Sequence, residues 1–121
     1  MQFRELYHGT NGDNILEIMR LGLLRPNAQG KIYFSEWRFD SVLMHGGDLR
    51  RKATFAVKLR VTIPSTAGVE RNATHGVADT LVVSTGLPLH VTVLELYARE
   101  PQATKVKTIK GMEEVRKYLS N

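Results

Sequence analysis

A chain of 121 residues with 42% hydrophobic and 24% charged side chains has the size and composition of one globular domain, residues 1–121, which argues against a disordered or fibrous protein. No apolar run approaches the roughly 18 residues that cross a bilayer, and Met1 to Glu5 lack the charged-then-apolar layout of a secretory leader, so the expected setting is cytoplasmic with no membrane partner. The absence of cysteine excludes a disulfide, a thiolate metal site and a Cys nucleophile, while a formal net charge of +5 favours polyanionic partners, nucleic acids and phosphate-bearing cofactors among them.

Leu6 and Tyr7 lead into His8-Gly9-Thr10 and the turn-forming Asn11-Gly12-Asp13, which predicts a short first strand with His8 at its end. Asp13 or Asn14 can cap a helix whose apolar residues Ile15, Ile18 and Met19 recur at i, i+3 and i+4, with Gly22 as a left-handed stop. Leu23 to Gly30 reads as loop, and Ile32-Tyr33-Phe34-Ser35 as a second strand. A short helix is expected from Asp40 to Gly46-Gly47, with the basic exit Arg50-Arg51-Lys52.

From Thr54 to Ile63, Phe55, Val57, Leu59, Val61 and Ile63 alternate with Thr54, Ala56, Lys58, Arg60 and Thr62, the pattern of a strand with one buried and one basic face. Pro64 to Gly68 ends it, and Glu70 to Gly76 reads as a long surface loop. Leu81-Val82-Val83 and His90 to Tyr97 are strands separated by a turn at Ser84 to Pro88, and Gly111 to Leu119 has the spacing of a last helix. This order predicts an α+β fold: compact, twisted, mostly antiparallel sheets with two or three short helices.

Neither GxGxxG nor GxxxxGK[ST] occurs, so a nucleotide site needs another design. The remaining histidines, His45, His75 and His90, form no HExxH or other ligand spacing, and no metal is expected. A histidine followed by glycine near a strand end lets an imidazole face a cleft while the glycine backbone approaches a ligand. Tyr33 offers a ring for stacking, and Asp79, ahead of the apolar run at Leu81, is a carboxylate at the sheet's rim, with Glu36 and Glu95 as alternatives.

Leu6-Tyr7-His8-Gly9-Thr10, then Ile15 to Gly22-Leu23, then Ile32-Tyr33-Phe34-Ser35 resemble the opening half of the ADP-ribosyltransferases related to diphtheria toxin and the poly(ADP-ribose) polymerases. Ser41 falls where the polymerases place a serine that bonds the nicotinamide amide. Ala78-Asp79-Thr80-Leu81-Val82-Val83 looks like the strand where the family keeps its catalytic glutamate, here Asp79, a replacement similar to the His-Tyr-Asp pattern of the rifamycin-modifying enzymes. The resemblance implies NAD as co-substrate, with His8, Tyr33 and Asp79 as catalytic residues and His8, Gly9, Thr10, Tyr33 and Ser41 against the dinucleotide. Cleaving a nicotinamide–ribose bond develops positive charge on the ribose, which a nearby carboxylate stabilises.

The implied activity is mono-ADP-ribosylation of a protein or nucleic acid, in the setting of a toxin or effector, for which an inhibitor protein is a natural partner. Arginine-modifying relatives carry an acidic residue two positions before the catalytic one, where this chain has Val77, so arginine is a poor acceptor. Two alternatives remain open at this level. One is a noncatalytic module that binds NAD, ADP-ribose or nucleic acid; the other is an RNA 2′-phosphotransferase-like enzyme, against which Tyr33 speaks because that family resembles a histidine in the same strand.

Overall fold

The structure, a computed structural model of the chain, describes residues 2–36, 54–72, 80–99 and 106–120. Its elements are β1 (Gln2–Thr10), α1 (Gly12–Leu21), β2 (Leu23–Leu24), β3 (Lys31–Ser35), β4 (Thr54–Ile63), β5 (Gly68–Asn72), β6 (Thr80–Ser84), β7 (Leu89–Arg99), β8 (Lys107–Lys110) and α2 (Met112–Ser120). Every strand pairing among the described residues is antiparallel, in the order β2-β7-β4-β1-β3-β6-β5, with β8 on β7. With two helices among the described residues this is a small α+β fold. No helix among the described residues is long and apolar enough to cross a membrane. The helix expected from Asp40 lies outside the described residues.

The pairing is uneven along that order. β1 runs against β4 through nine residue pairs and β3 against β6 through five, whereas β1 and β3 meet at one pair, Tyr7 with Ser35. The sheet is therefore two well-bonded blocks, β2-β7-β4-β1 with β8 and β3-β6-β5, joined by a narrow seam. The turn at Ser84 to Pro88 carries the chain from one block to the other, so β6 and β7, neighbours in sequence, do not pair with each other.

Both helices cover one face. Ile15, Ile18 and Met19 of α1 and Val115 of α2 join Leu6, Ile32, Phe34, Leu81 and Val83, the four alternating residues Val57, Leu59, Val61 and Ile63, and the apolar side of β7. On β7 that side switches phase: Val91 and Val93 face the core, then Leu96 does, because a bulge at Leu94 offsets the register between Lys58–Glu95 and Leu59–Val93. On the other face Ala56 and Tyr97 are buried together, with Tyr7 and Val106 against them. Ala56 is thus not part of a basic face, as the alternation alone suggests; a tyrosine ring covers it.

Several boundaries differ from the sequence reading for reasons of pairing. β1 does not stop at His8 but continues through Thr10, because β4 pairs with it as far as Phe55. α1 is capped by Asn11 rather than by Asp13 or Asn14: Asn11 Oδ1 accepts from the Asn14 N–H at 2.8 Å, and Gly22, at φ 67°, ends the helix in the left-handed conformation. Glu70 to Asn72 are not loop but the last residues of β5, an edge strand on β6. Lys107 to Lys110, a lysine cluster without an apolar pattern, become a strand through bonds to β7.

Candidate functional site

The candidate site lies at the seam. β1 and β3 part beyond Tyr7–Ser35, and the carbonyl of Tyr33, in a strand the ladder no longer satisfies there, accepts a hydrogen bond from His8 Nδ1 at 2.9 Å. A carbonyl can only accept, so Nδ1 carries the proton and, in the neutral ring, Nε2 is the acceptor. Desolvation of the half-buried imidazole lowers its pKa from the usual 6.5, and the bond to Tyr33 opposes this without reversing it. At neutral pH the ring is uncharged and presents an acceptor suited to a ligand hydroxyl.

Phe34, rather than Tyr33, supplies the ring beside the imidazole, with centroids 5.7 Å apart and planes tilted by 57°. Tyr33 alternates with the buried Ile32 and Phe34 and is 43% exposed. The structure thus brings His8 to the backbone of Tyr33 and leaves the Tyr33 ring open to solvent. Gly9 pairs with Ala56 inside β1, and the Thr10 hydroxyl accepts from Asn14 Nδ2 at 3.0 Å, which ties the end of β1 to the start of α1. Ser41 and Asp79 lie outside the described residues. β6, the strand that Asp79 precedes in sequence, opens at Thr80 opposite Ser35, with Val82 opposite Tyr33.

The two alternative carboxylates are both engaged. Glu36, just after β3 with a side chain 9% exposed, accepts from Arg4 Nη2 of β1 at 2.6 Å and from Arg71 Nε and Nη2 of β5 at 3.0 and 3.2 Å. Glu95 accepts from the Tyr97 hydroxyl. Burial first, then that bond, pushes the Tyr97 pKa well above the ordinary phenol value, so the phenol keeps its proton. Its ring centroid is 5.9 Å from that of Tyr7. The Arg4 and Arg71 partners were not foreseen: Arg4 shares a strand face with Leu6 and His8, but only the fold brings β5 within reach.

Glu36 joins β1 in one block to β5 in the other, a second tie across the seam. Burial alone would raise its pKa, but the bonds from Arg4 and Arg71 outweigh burial and hold it below the ordinary glutamate value. A depressed native pKa stabilises the fold above the unfolded value, and that contribution is lost as pH falls through the native one. Glu36→Gln is expected to cost about 1–3 kcal/mol at neutral pH and to remove part of the stability loss below about pH 4.5. Urea unfolding of both proteins from pH 7 to pH 3 checks this; parallel pH profiles would contradict it.

Arg25 is exposed after β2, and the basic residues Arg38, Arg50, Arg51 and Lys52 lie outside the described residues. A separate cleft of about 830 Å³, walled by Gln29, Thr62, Ser84, Leu87 and His90 among others, opens at the other end of the blocks. His8 pairs with Val57, five residues from Thr62 along β4, or roughly 17 Å at strand rise. No metal-binding group of three or more His, Asp or Glu residues occurs among the described residues. The chain matches no family model, and neither a curated protein nor a solved structure matches it.

Proposed function

We propose that the chain is an NAD-dependent mono-ADP-ribosyltransferase with an ADP-ribosyltransferase-like fold, acting on a protein or nucleic-acid acceptor as a toxin or effector would. The observation that carries this reading is the seam. It sets a neutral imidazole with Nδ1 fixed on the Tyr33 carbonyl, and Nε2 as acceptor, beside the strand that exposes the Tyr33 ring. In this reading His8 Nε2 accepts a bond from a ribose hydroxyl and Tyr33 stacks on nicotinamide, a contact worth about 0.5–1.5 kcal/mol beyond area burial.

Asp79 then supplies the carboxylate toward the ribose. Glu36 and Glu95 are poorly suited to that part, because two guanidinium groups hold the first and a tyrosine hydroxyl the second. In the reaction the bond between nicotinamide and the ribose carbon breaks, and nicotinamide leaves with the electron pair. Positive charge that develops on the ribose is met by the carboxylate until the acceptor's lone pair forms the new bond and the acceptor gives up its proton.

The test is nicotinamide release from NAD by the native chain and by Tyr33→Ala and Asp79→Ala, with protein and nucleic acid offered as acceptors. Release that falls in both variants, with one ADP-ribose added to an acceptor by mass, is the expected result. Stoichiometric binding of NAD or nucleic acid without release selects the noncatalytic module instead.

A further inference from the structure

The cleft away from His8 has walls and a rim of different chemistry. Its volume, about 830 Å³, lies within the roughly 300–1,000 Å³ typical of small-ligand pockets. Among the described residues no Lys, Arg, Asp or Glu walls it. Leu87 and Pro64 supply apolar surface, while Gln29, Thr62, Ser84 and His90 supply uncharged hydrogen-bonding groups. Such walls suit an uncharged body with polar edges, since a charge placed among them would lose its hydration without gaining a partner.

The rim is aromatic and basic. Thr62, Arg60 and Lys58 alternate with the core residues of β4, so they lie on the face away from the helices, opposite Phe3, Glu5 and Tyr7 of β1. Phe3 is exposed and stands beside the Thr62 wall. Arg60 is two residues, about 6.6 Å, from Thr62, and on the other block Lys31 is opposite the Ser84 wall. Neither cationic side chain has an ion pair or hydrogen bond among the described residues, so Glu5, exposed across from Arg60, does not neutralise it by contact. Two uncommitted cations flank an uncharged cleft with a ring at its edge, which matches a phosphate joined to a planar, neutral body.

We infer that this cleft holds one nucleotide of a single-stranded nucleic acid, with the base in the cleft against Phe3 and the flanking phosphates on Arg60 and Lys31. A base has flat apolar faces for stacking and an edge of donors and acceptors that the Gln29 amide and the His90 imidazole can meet. Both are free to be read only where the base is unpaired, which selects a single strand over a duplex. A polymer fits better than a free nucleotide because a further cation, Lys58, follows Arg60 along β4 at the same spacing, away from the cleft. Glu95, opposite Lys58, accepts from the Tyr97 hydroxyl. The inference stands apart from the NAD reading, which concerns His8 and the seam.

The test is fluorescence anisotropy of the full chain with a short labelled single strand of mixed sequence, as RNA and as DNA, beside the same sequence as a duplex, with AMP and NAD as competitors. The native chain binds the single strand, more tightly than the duplex and less tightly as salt rises. Phe3→Ala weakens binding about tenfold, and Arg60→Gln weakens it while lowering the salt slope by about one. Arg116→Gln, which removes the same charge from exposed α2, binds as the native chain does, and circular dichroism shows all three variants folded. No binding of the single strand, native affinity in Phe3→Ala and Arg60→Gln, or an equal loss in Arg116→Gln overturns the inference. AMP that competes as well as the unlabelled strand overturns the polymer, and NAD that does so overturns the separation of this cleft from the NAD site. None of the other outcomes touches the NAD reading, which nicotinamide release tests by itself.

Discussion

Leu59→Ala is expected to lower the stability of the domain by about 2–5 kcal/mol, out of the roughly 5–15 kcal/mol typical of a whole domain. Leu59 is fully buried, lies opposite Leu6 on β1 and Val93 on β7, and sits next to the register shift in the middle of the sheet. Truncation removes the transfer energy of its side chain and leaves a cavity that two paired strands cannot close. The fall in melting temperature should be on the order of 10–20 °C, with an unchanged denaturant slope. Phe3→Ala is the control: Phe3 is 68% exposed near the start of the same sheet and its loss should stay within about 0.5 kcal/mol. Equal losses for the two would mean that β4 is not the centre of the core.

The second large effect concerns activity. For the transferase proposed above, His8→Ala is expected to lower nicotinamide release about 10²- to 10³-fold, the usual cost of removing one preorganised polar group from a reacting site. The same change deprives the Tyr33 carbonyl of its partner, which costs only about 1 kcal/mol of stability. Circular dichroism and a thermal melt therefore separate loss of function from loss of fold. Release that survives His8→Ala in a native-like protein would remove His8 from the reaction.

His8 also sets a pH dependence whose sign follows from its lowered pKa. The unfolded chain takes up a proton near pH 6.5 while the native imidazole does not, so this contribution to stability is complete above pH 6.5 and falls away as pH drops through the native value. Protonation also removes the Nε2 acceptor, so release should fall over the same acidic interval. Glu36 contributes a second loss in the same direction at lower pH. Two acid transitions are thus built into one seam, the upper one abolished by His8→Ala and the lower one by Glu36→Gln.

Where alternation was strong the strands were legible. Val57, Leu59, Val61 and Ile63 defined one buried face of β4, and Ile32-Tyr33-Phe34-Ser35 defined β3 to within one residue. The helical spacing of Ile15, Ile18 and Met19, and Gly22 as a stop, were legible for the same reason: they are local properties of a short stretch. The lysine-bearing β8 and the Glu70 to Asn72 part of β5 were not, because their strand character comes from hydrogen bonds to residues distant in sequence.

The candidate site divides along the same line. The choice of His8, Tyr33 and Asp79 rests on the resemblance of their motifs to a family, and the α+β class on the order and periodicity of the elements; both are local properties of the sequence. That β1 and β3 touch at a single pair, that His8 binds a backbone carbonyl there, and that Arg4 and Arg71 take up Glu36 were all decided by tertiary structure. Periodicity states which side of a strand is apolar. It carries no information about which strand lies alongside or how far two strands stay in register, and those long-range pairings determine burial, hydrogen-bond partners and charge at the seam.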